Sequence, residues 1–427
     1  MGRGIFEKLR TSLEKAGKEL PDKRRDGHDL KYRLLDAVKC AFAVFFFQHP
    51  SLLNFQQEMQ RKLKRNNLET LLEVKEIPCT MQITRLLDGL EPERFSGAFT
   101  DNLKVAEEHH ALEGYRVLDG GVLIALDGVW HFSSKNIHCE HCLHKSKDGI
   151  TTYYHRIVAA TIVKPGDSVV LPVMAEMIRN EDGSEKQDCE RNAAKRWLGK
   201  YGQEYQWLSP TLLGDDVYSD YPTCKAIVER GMSFIFTCKE ASHPWLTETV
   251  GNSYLHESRR RVWNGRHHLE YRYRWINGVE IRDHQETLLV NYLDFQIWNE
   301  EKGKATYHNS WITNKTITKD KVGLLTECGR ARWKIENEHN NVLKNHGYNL
   351  EHNFGHGAEH AGEIYCLLDL LSFQFHGILQ LIDEGYRKAR GSFGRREEFF
   401  NGLRFSLRRF LHKSWEDFML FVIGDED

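Results

Sequence analysis

The segment VLIALDG, residues 122–128, is an apolar run of strand length that ends in an acidic residue and a glycine. A run of this kind, closed by Asp127-Gly128, is typical of a β-strand. Residues 1–115 instead show helical spacing and no convincing strand. The pattern therefore changes close to Val117, and the segment marks the beginning of a sheet-forming unit.

Further strands and helices follow this first strand in a regular order. We expect three strands, a helix, a strand, a helix and a last strand, over residues 122–126, 152–163, 168–174, about 189–201, 211–214, 224–229 and 233–238. The fourth strand ends at Asp215, as the first ends at Asp127. This order predicts an α/β fold with a mixed sheet and with acidic residues at strand ends.

A stretch of antiparallel strands interrupts this unit. Two Asn-Gly pairs, at 264–265 and 277–278, predict type I′ hairpin turns, and aromatic residues alternate between them along one strand face. A helical pattern returns at Gly329–Lys344 and again from Ala361. We therefore expect a helical N-terminal domain over residues 1–115 and an α/β core in two parts, 116–240 and 305–375. An antiparallel β insertion, 241–304, separates the two parts, and a basic helical C-terminal region follows over 376–427.

The composition is that of an ordinary globular protein and argues against one that coats nucleic acid indiscriminately. The chain has 427 residues, of which 40% are hydrophobic and 28% charged, and its formal net charge is −2. The longest apolar run, Ala41–Phe47, is too short to span a bilayer, and we expect no signal peptide. Nine scattered cysteines suit a reducing compartment. We expect a cytoplasmic, nucleoid-associated protein without a membrane partner.

Local charge favours contact with a polyanion. From Arg387 to Lys413 there are nine Lys or Arg against two Glu, and basic segments occur at residues 23–25 and 61–65. The N-terminal domain could accordingly bind DNA ends or mediate dimerisation. The alternative, solvated helix faces that bind nothing, stays open for each segment taken alone.

The helix expected over Gly329–Lys344, GRARWKIENEHNNVLK, adds a third acidic residue. Arg332 and Glu336 lie four residues apart and share one helix face, a pattern that also fits a solvated helix with an ordinary salt bridge. Together with Asp127 and Asp215, Glu336 offers the hard oxygen ligands that Mg²⁺ requires. Two such ions can clamp an in-line phosphoryl displacement. Without cations the carboxylates would repel one another, so their convergence indicates a metal site.

Three segments resemble the DDE transposases of bacterial insertion sequences: LIALDG around Asp127, LLGDDVYS around Asp215 and the helix around Glu336. The resemblance spans roughly residues 117–357 and is closest to the group with a β-strand insertion and a Tyr-Arg-Glu-Lys signature. It implies a ribonuclease H-like core in which the three carboxylates bind two Mg²⁺ or Mn²⁺ ions. It also implies that Arg332 and Lys344 hold phosphates near the cut. The Asp-x-x-Tyr pattern of these proteins selects Asp215, rather than Asp216, as the ligand.

The activity that the resemblance implies is cut-and-paste DNA transposition. The protein would cleave double-stranded DNA at the terminal inverted repeats of its element and transfer the strands into target DNA, as a homodimer bound to two ends. A ribonuclease H-like nuclease that cuts without joining is one alternative. A catalytically inactive, transposase-derived DNA-binding protein is another, although the presence of all three carboxylates counts against it.

The Gly329–Lys344 helix departs from the signature at two positions. Gly329 stands where the signature has Tyr, and Lys344 follows Glu336 by eight residues instead of seven. In a regular α-helix the eighth residue lies about 80° past two full turns, whereas the seventh is nearly aligned. We predict a single π-helical turn between Glu336 and Lys344 that absorbs the extra residue.

Residues 137–144, IHCEHCLH, are dense in metal-ligating side chains. Cys139 and Cys142 have the spacing of a zinc knuckle, and two more ligands would be needed for a structural Zn²⁺ site. The candidates for these ligands are His138, His141, His144 and the distant Cys189. The alternative is a reduced surface loop without metal.

The antiparallel insertion carries a second set of candidates for DNA contact. The run Arg259-Arg260-Arg261 predicts contact with phosphates. Three tryptophans lie in or beside the insertion, and in the transposases that the chain resembles an aromatic residue of the insert can stack on an extruded base. Trp298 is the candidate for that contact. The alternative is that Trp263, Trp275 and Trp298 fill the small core of the insertion.

Overall fold

In a computed structural model, the chain forms an α/β fold with one large mixed sheet and flanking helices. The structure describes residues 4–22, 24, 31–60, 66–179 and 188–424. Of the basic N-terminal segments, Lys23, Arg25 and 61–65 lie outside the described residues, whereas Arg24 pairs with Asp22 at 2.5 Å. The α/β class with a mixed sheet is confirmed.

The sheet is built from ten strands within the described residues: β1 (Leu123–Ser134), β2 (Leu143–Lys147), β3 (Ile150–Val163), β4 (Leu171–Ile178), β5 (Thr211–Gly214), β6 (Ser233–Thr237), β7 (His256–Trp263), β8 (His268–Glu280), β9 (Leu289–Asn299) and β10 (Lys304–Thr313). Their spatial order is β2-β3-β1-β5-β6-β10-β9-β8-β7, and β4 pairs with β3. β1 is antiparallel to β3 and parallel to β5, and β5 is parallel to β6.

Two strands with largely apolar sequences, one inside the sheet and one at its edge, are covered by the surrounding protein. β4 and β5 are buried along their whole length, as expected of short apolar runs covered on both faces. β2 was not predicted, since its sequence LHKSK is polar and four of its five residues are exposed. It is held by pairing with the equally polar beginning of β3.

The antiparallel insertion continues the main sheet, because β10 pairs with β6 as well as with β9. Asn264-Gly265 forms part of the turn between β7 and β8, with Gly265 in the left-handed region at φ +88°. The second predicted turn is wrong: β8 runs through Asn277-Gly278, where the register with β9 shifts between Ile276 and Val279. The Asn277 side chain exchanges two 2.9 Å hydrogen bonds with the backbone of Ile317, which favours a bulge over a turn.

Fifteen α-helices complete the described fold: α1 (Ile5–Glu19), α2 (Leu34–Phe46), α3 (Leu52–Met59), α4 (Asn67–Leu72), α5 (Thr80–Asp88), α6 (Ser96–Glu108), α7 (Glu190–Tyr201), α8 (Tyr221–Glu229), α9 (Pro244–Gly251), α10 (Val322–Arg330), α11 (Asn341–Asn345), α12 (Ala361–Ile382), α13 (Glu384–Gly391), α14 (Arg396–Arg409) and α15 (Trp415–Ile423). α12 packs against α2 on one side and β4 on the other. The N- and C-terminal helices also meet, since Phe6 stacks on Trp415 with ring centroids 4.2 Å apart.

α12 is also the one helix of the described residues that is long and apolar enough to cross a membrane by length and composition. In its most apolar window 89% is buried inside the protein. The contacts with α2 and β4 account for this apolar surface, because a helix that packs on all sides needs few polar residues.

Candidate functional site

Asp127 lies on β1, and Asp215 directly follows β5, the parallel strand beside it. In the ladder between β1 and β5, Ile124 pairs with Leu212 and Ala125 with Leu213. Parallel strands keep a constant offset, so extending this register by two residues brings Asp127 beside Asp215. The sheet therefore brings both carboxylates together, just beyond the last residues that β1 and β5 pair.

The carboxyl group of Asp127 is largely buried among negative charges. Burial raises its pKa to about 7, together with the charges of Glu190, Glu336 and Asp215, and the Arg332 guanidinium opposes that rise. The three predicted carboxylates thus share one electrostatic neighbourhood, and Glu190 joins them. A group in this environment ionises near neutral pH, so a cation would compete directly with its proton.

Asp215 and the adjacent Asp216 have different surroundings. Burial raises the pKa of Asp215, against the 2.9 Å hydrogen bond that it accepts from the Val217 N–H. Asp216 points elsewhere, since its carboxylate accepts hydrogen bonds from the Lys239 N–H at 2.7 Å and the Ser242 hydroxyl at 2.5 Å. This geometry favours Asp215, and not Asp216, as the neighbour of Asp127, Glu336 and Glu190; we call these four carboxylates the acidic group.

Arg332 provides positive charge within the acidic group. Its guanidinium is 2.6 Å from the carboxylate of Glu336. Its positive charge also opposes the rise in the pKa of Asp127 and of Asp215. The Glu336 side chain remains 49% exposed, so it is open to solvent as well as to Arg332. Arg332 therefore partly balances the negative charge of Asp127, Asp215 and Glu336.

The helix around Glu336 contains the predicted π-helical turn. Residues Ile335–Asn340 form this turn between α10 and α11, and it packs against β1 and β3. The prediction from the eight-residue spacing is therefore confirmed. Lys344 lies in α11, and its ammonium forms a 2.6 Å ion pair with Glu351 in the following loop. Among the described ion pairs, Lys344 is thus joined to that loop and not to the acidic group.

The π-helical turn also directs Asn340 towards Asp127. The Asn340 amide donates a 2.8 Å hydrogen bond to Asp127 Oδ2. His339 is fully buried, and burial lowers its pKa to about 4, so its imidazole is neutral near pH 7. Its Nδ1 lies 2.8 Å from Asn340 Oδ1, and a proton on that nitrogen orients the amide with its NH₂ towards Asp127. Neither residue was predicted, because the contact depends on the packing of the turn against β1.

Glu190, the first residue of α7, was also missed by the sequence analysis. Its carboxylate accepts hydrogen bonds from the Tyr218 hydroxyl at 2.6 Å and from Arg156 at 2.9 Å. A Cβ on Gly128 would lie 2.1 Å from Glu190 Oε2, so only glycine leaves room for this carboxylate beside Asp127. The Asp-x-x-Tyr pattern pointed to Tyr218 but could not reveal which carboxylate accepts its hydrogen bond.

Gly329 has a packing explanation. A Cβ at this position would lie 2.9 Å from the indole of Trp311 and 3.2 Å from Ile235. Trp311 is buried in β10, so its ring occupies the space that a larger side chain would need. The departure from the Tyr of the signature is therefore linked to a tryptophan on the neighbouring strand.

Cys139 and Cys142 belong to a cluster with His155 and His356. Their ligand atoms all lie within 4.8 Å of one another, and among the described residues this is the one group of three or more metal-ligating side chains that meets that limit. The pair of cysteines was predicted as a candidate site, but its expected partners were wrong. His138 and His144 lie near the Tyr153 ring, His141 stacks on His360, and Cys189 is exposed beside α7.

The three insertion arginines do not form one patch. Successive side chains of a strand point to opposite faces, so Arg259 and Arg261 share one face of β7 and Arg260 lies on the other. Arg259 faces Glu270 at 3.6 Å, and Arg261 pairs with Glu300 at 2.6 Å. All three are exposed, and each of the two that share a face has a glutamate partner.

The tryptophans of the insertion have three different environments. Trp298 is half-buried, and the Arg272 guanidinium lies 4.3 Å from its ring centroid. Trp275 is buried in the core, whereas Trp263 is 56% exposed at the end of β7. Core filling thus accounts for Trp275, and Trp263 is the ring of the three most open to a stacking partner.

No protein-family model matches the chain, and no curated protein sequence matches it.

Proposed function

We propose that the chain is a DDE-type transposase with a ribonuclease H-like core, which cleaves double-stranded DNA at element ends and joins the strands to target DNA. The observation that carries the proposal is the placement of Asp127 on β1 and of Asp215 directly after the adjacent parallel strand β5, with the charges of Asp215 and Glu336 acting on Asp127. Three carboxylates from separate elements can hold two Mg²⁺ or Mn²⁺ ions, because these cations prefer oxygen ligands and carboxylates supply them with negative charge.

The order of strands supports the same proposal. An antiparallel set, β4-β3-β1, is extended by the parallel strands β5 and β6, which is the arrangement expected of a ribonuclease H-like core. The insertion β7–β10 lies between β6 and the helix that carries Glu336, as the resemblance implies. Function cannot be argued from fold alone, so the acidic group remains the principal support.

The proposed reaction is a phosphoryl transfer, in which positioning and charge stabilisation do most of the work. Bound divalent cations would activate the attacking oxygen and stabilise the leaving oxygen. Asp127, Asp215 and Glu336 are the residues that would hold them. The Asn340 amide orients Asp127, and the Arg332 guanidinium can exchange Glu336 for a phosphate oxygen at low cost, since both are anionic acceptors.

Basic residues of α13 and α14 could hold the DNA. Arg387, Arg390 and Arg396 line a cavity that Glu338 and Val342 of the neighbouring helical segment also line. Arginines in such a cavity suit contact with the phosphate backbone. We propose double-stranded DNA as the partner, bound by a homodimer that bridges two ends.

The test requires the DNA that flanks the reading frame, where inverted repeats would supply the substrate. Asp127→Asn, Asp215→Asn and Glu336→Gln should each abolish Mg²⁺-dependent strand cleavage while end binding persists. Asp216→Asn is the matched control and should cleave normally, because the Asp216 carboxylate accepts a hydrogen bond from the Lys239 backbone N–H. Cleavage without strand-transfer products would mean that the protein is a nuclease and not a transposase. End binding without cleavage by the unaltered protein would leave an inactive DNA-binding protein.

A further inference from the structure

The cysteine–histidine cluster has the dimensions of a tetrahedral metal site. The two Sγ atoms of Cys139 and Cys142 are 3.9 Å apart, and His155 Nε2 lies 3.5 and 3.3 Å from them. His356 Nε2 lies 3.5 Å from Cys142 Sγ and 3.1 Å from His155 Nε2. For Zn–S of about 2.3 Å and Zn–N of about 2.0–2.1 Å, a tetrahedron has edges of about 3.8 Å for S–S, 3.6 Å for S–N and 3.3 Å for N–N. All five measured edges agree with these values to about 0.3 Å.

We propose that Cys139, Cys142, His155 and His356 bind one Zn²⁺ ion in a closed structural site. Two thiolates and two imidazoles in a tetrahedron select Zn²⁺ over Mg²⁺, which requires oxygen ligands. Four protein ligands leave no open coordination position, so this ion would stabilise the fold and take no part in phosphoryl transfer.

The surroundings of His356 prepare its Nε2 for a metal. His356 Nδ1 lies 2.9 Å from the Gly357 carbonyl oxygen, which can only accept, so Nδ1 carries the proton. The lone pair of Nε2 then points into the cluster, and a backbone carbonyl that fixes the tautomer in this way is typical of metal-bound histidine. Cys142, His155 and His356 are all buried, as ligands of a structural ion are expected to be.

A carboxylate from the N-terminal helices anchors the loop that carries His356. Asp88, the last residue of α5, accepts hydrogen bonds of 2.9–3.0 Å from the backbone N–H groups of residues 358–361. Gly357 has φ +70°, and a Cβ there would lie 2.0 Å from Asp88 Oδ1. The loop is thus held in place independently of the cysteines.

The ion would connect parts of the chain that are far apart in sequence. The two cysteines lie between β1 and β2, His155 lies on β3, and His356 follows α11. The His356 ring also packs on Phe132 of β1, with centroids 4.5 Å apart. The site therefore joins β1, which carries Asp127, to the loop that follows the Glu336 helix.

The test is the metal content of the purified full-length protein. By elemental analysis, the unaltered chain should contain about one zinc ion. The double variant Cys139→Ser/Cys142→Ser should lose at least nine-tenths of that zinc. Cys189→Ser and His138→Asn are matched controls, since both residues were candidate ligands by sequence and neither belongs to the cluster; both variants should keep their zinc.

Two further measurements apply even if the double variant does not fold. Co²⁺ bound to the unaltered protein should give the intense visible bands of tetrahedral cobalt and a thiolate charge-transfer band. His356→Cys should retain zinc because it restores a ligand, whereas His356→Asn should not. Absence of zinc together with an octahedral Co²⁺ spectrum would overturn the proposal, and so would full zinc retention in the double variant. None of these readouts depends on DNA cleavage, so the site can fail while the proposed transposase activity stands.

Discussion

Asn340 donates a 2.8 Å hydrogen bond to Asp127 from a position 213 residues further along the chain. The bond joins the π-helical turn to the first strand of the sheet, and it fixes the rotation of a carboxylate that lies among other acidic groups. The extra residue of the turn thus has a structural consequence, because it places Asn340 where a regular helix would turn a different side chain towards β1.

Removal of this hydrogen bond should impair the acidic site more than the fold. Asn340→Ala should cost about 1 kcal/mol in free energy of unfolding, and Mg²⁺-dependent DNA cleavage should fall by about tenfold or more, because Asp127 loses its orienting donor. Thermal unfolding and cleavage rates measure the two effects. Asn345→Ala is the control, since its amide donates a hydrogen bond to Asn341 on the exposed surface of α11. Equal cleavage by the two variants would contradict the orienting role.

The raised pKa of Asp127 predicts that, without divalent cations, the free energy of unfolding falls as pH rises. The unfolded carboxyl ionises near pH 4 and the folded one near pH 7, so the folded state holds more protons between these values and its stability falls as pH rises through that window. Asp127→Asn should therefore stabilise the Mg²⁺-free protein by about 1–2 kcal/mol at pH 8 and have little effect at pH 4. Thermal unfolding at both pH values checks this. No chelator should be added, because it would also strip the proposed zinc. A stability difference independent of pH would be incompatible with the prediction.

Glu190 should control the pH at which the acidic group binds Mg²⁺. Glu190→Gln removes a negative charge that raises the pKa of Asp127, so the midpoint of Mg²⁺ binding should move to lower pH. Titration calorimetry between pH 5.5 and 8.5, on the order of one pH unit either side of that pKa, measures the midpoint. Glu229→Gln is a surface control on α8 and should leave the midpoint unchanged, because its carboxylate is exposed and lies 3.9 Å from Lys225. An unchanged midpoint in Glu190→Gln would remove Glu190 from the group.

A methyl group added at each of the two glycines of α10 should have different effects on the stability of the protein. Gly329→Ala should destabilise the protein by about 1–3 kcal/mol, because its Cβ would meet the Trp311 indole at 2.9 Å. Gly323→Ala meets nothing within 4 Å and should be neutral or stabilising by up to about 1 kcal/mol, as alanine favours the helix. Chemical denaturation of both variants measures the difference. Similar stabilities would show that the helix moves away from Trp311 without cost.

Much of the site could be anticipated wherever local chemistry decides the structure. The apolar runs before Asp127 and Asp215 predicted strands, because a short run of apolar side chains is stable only inside a sheet. β5 ends directly before Asp215, as predicted, whereas the predicted end at Asp127 is wrong, since pairing with β3 carries β1 on to Ser134. The eight-residue spacing between Glu336 and Lys344 predicted the π-helical turn, because helix geometry converts a residue count directly into an angle. These inferences need only neighbouring residues.

Other features depended on which distant elements meet. Asn277-Gly278 has the composition of a hairpin turn, yet pairing of β8 with β9 and the bonds from Asn277 to Ile317 make it a bulge. The partners of Cys139 and Cys142 come from β3 and from a loop more than 200 residues away. The sequence by itself therefore determined the apolar strands that lead to Asp127 and Asp215 and the π-helical turn. Only the tertiary structure decided that Glu190, Asn340, His155 and His356 join the two candidate sites, because register and packing between remote segments bring those side chains together.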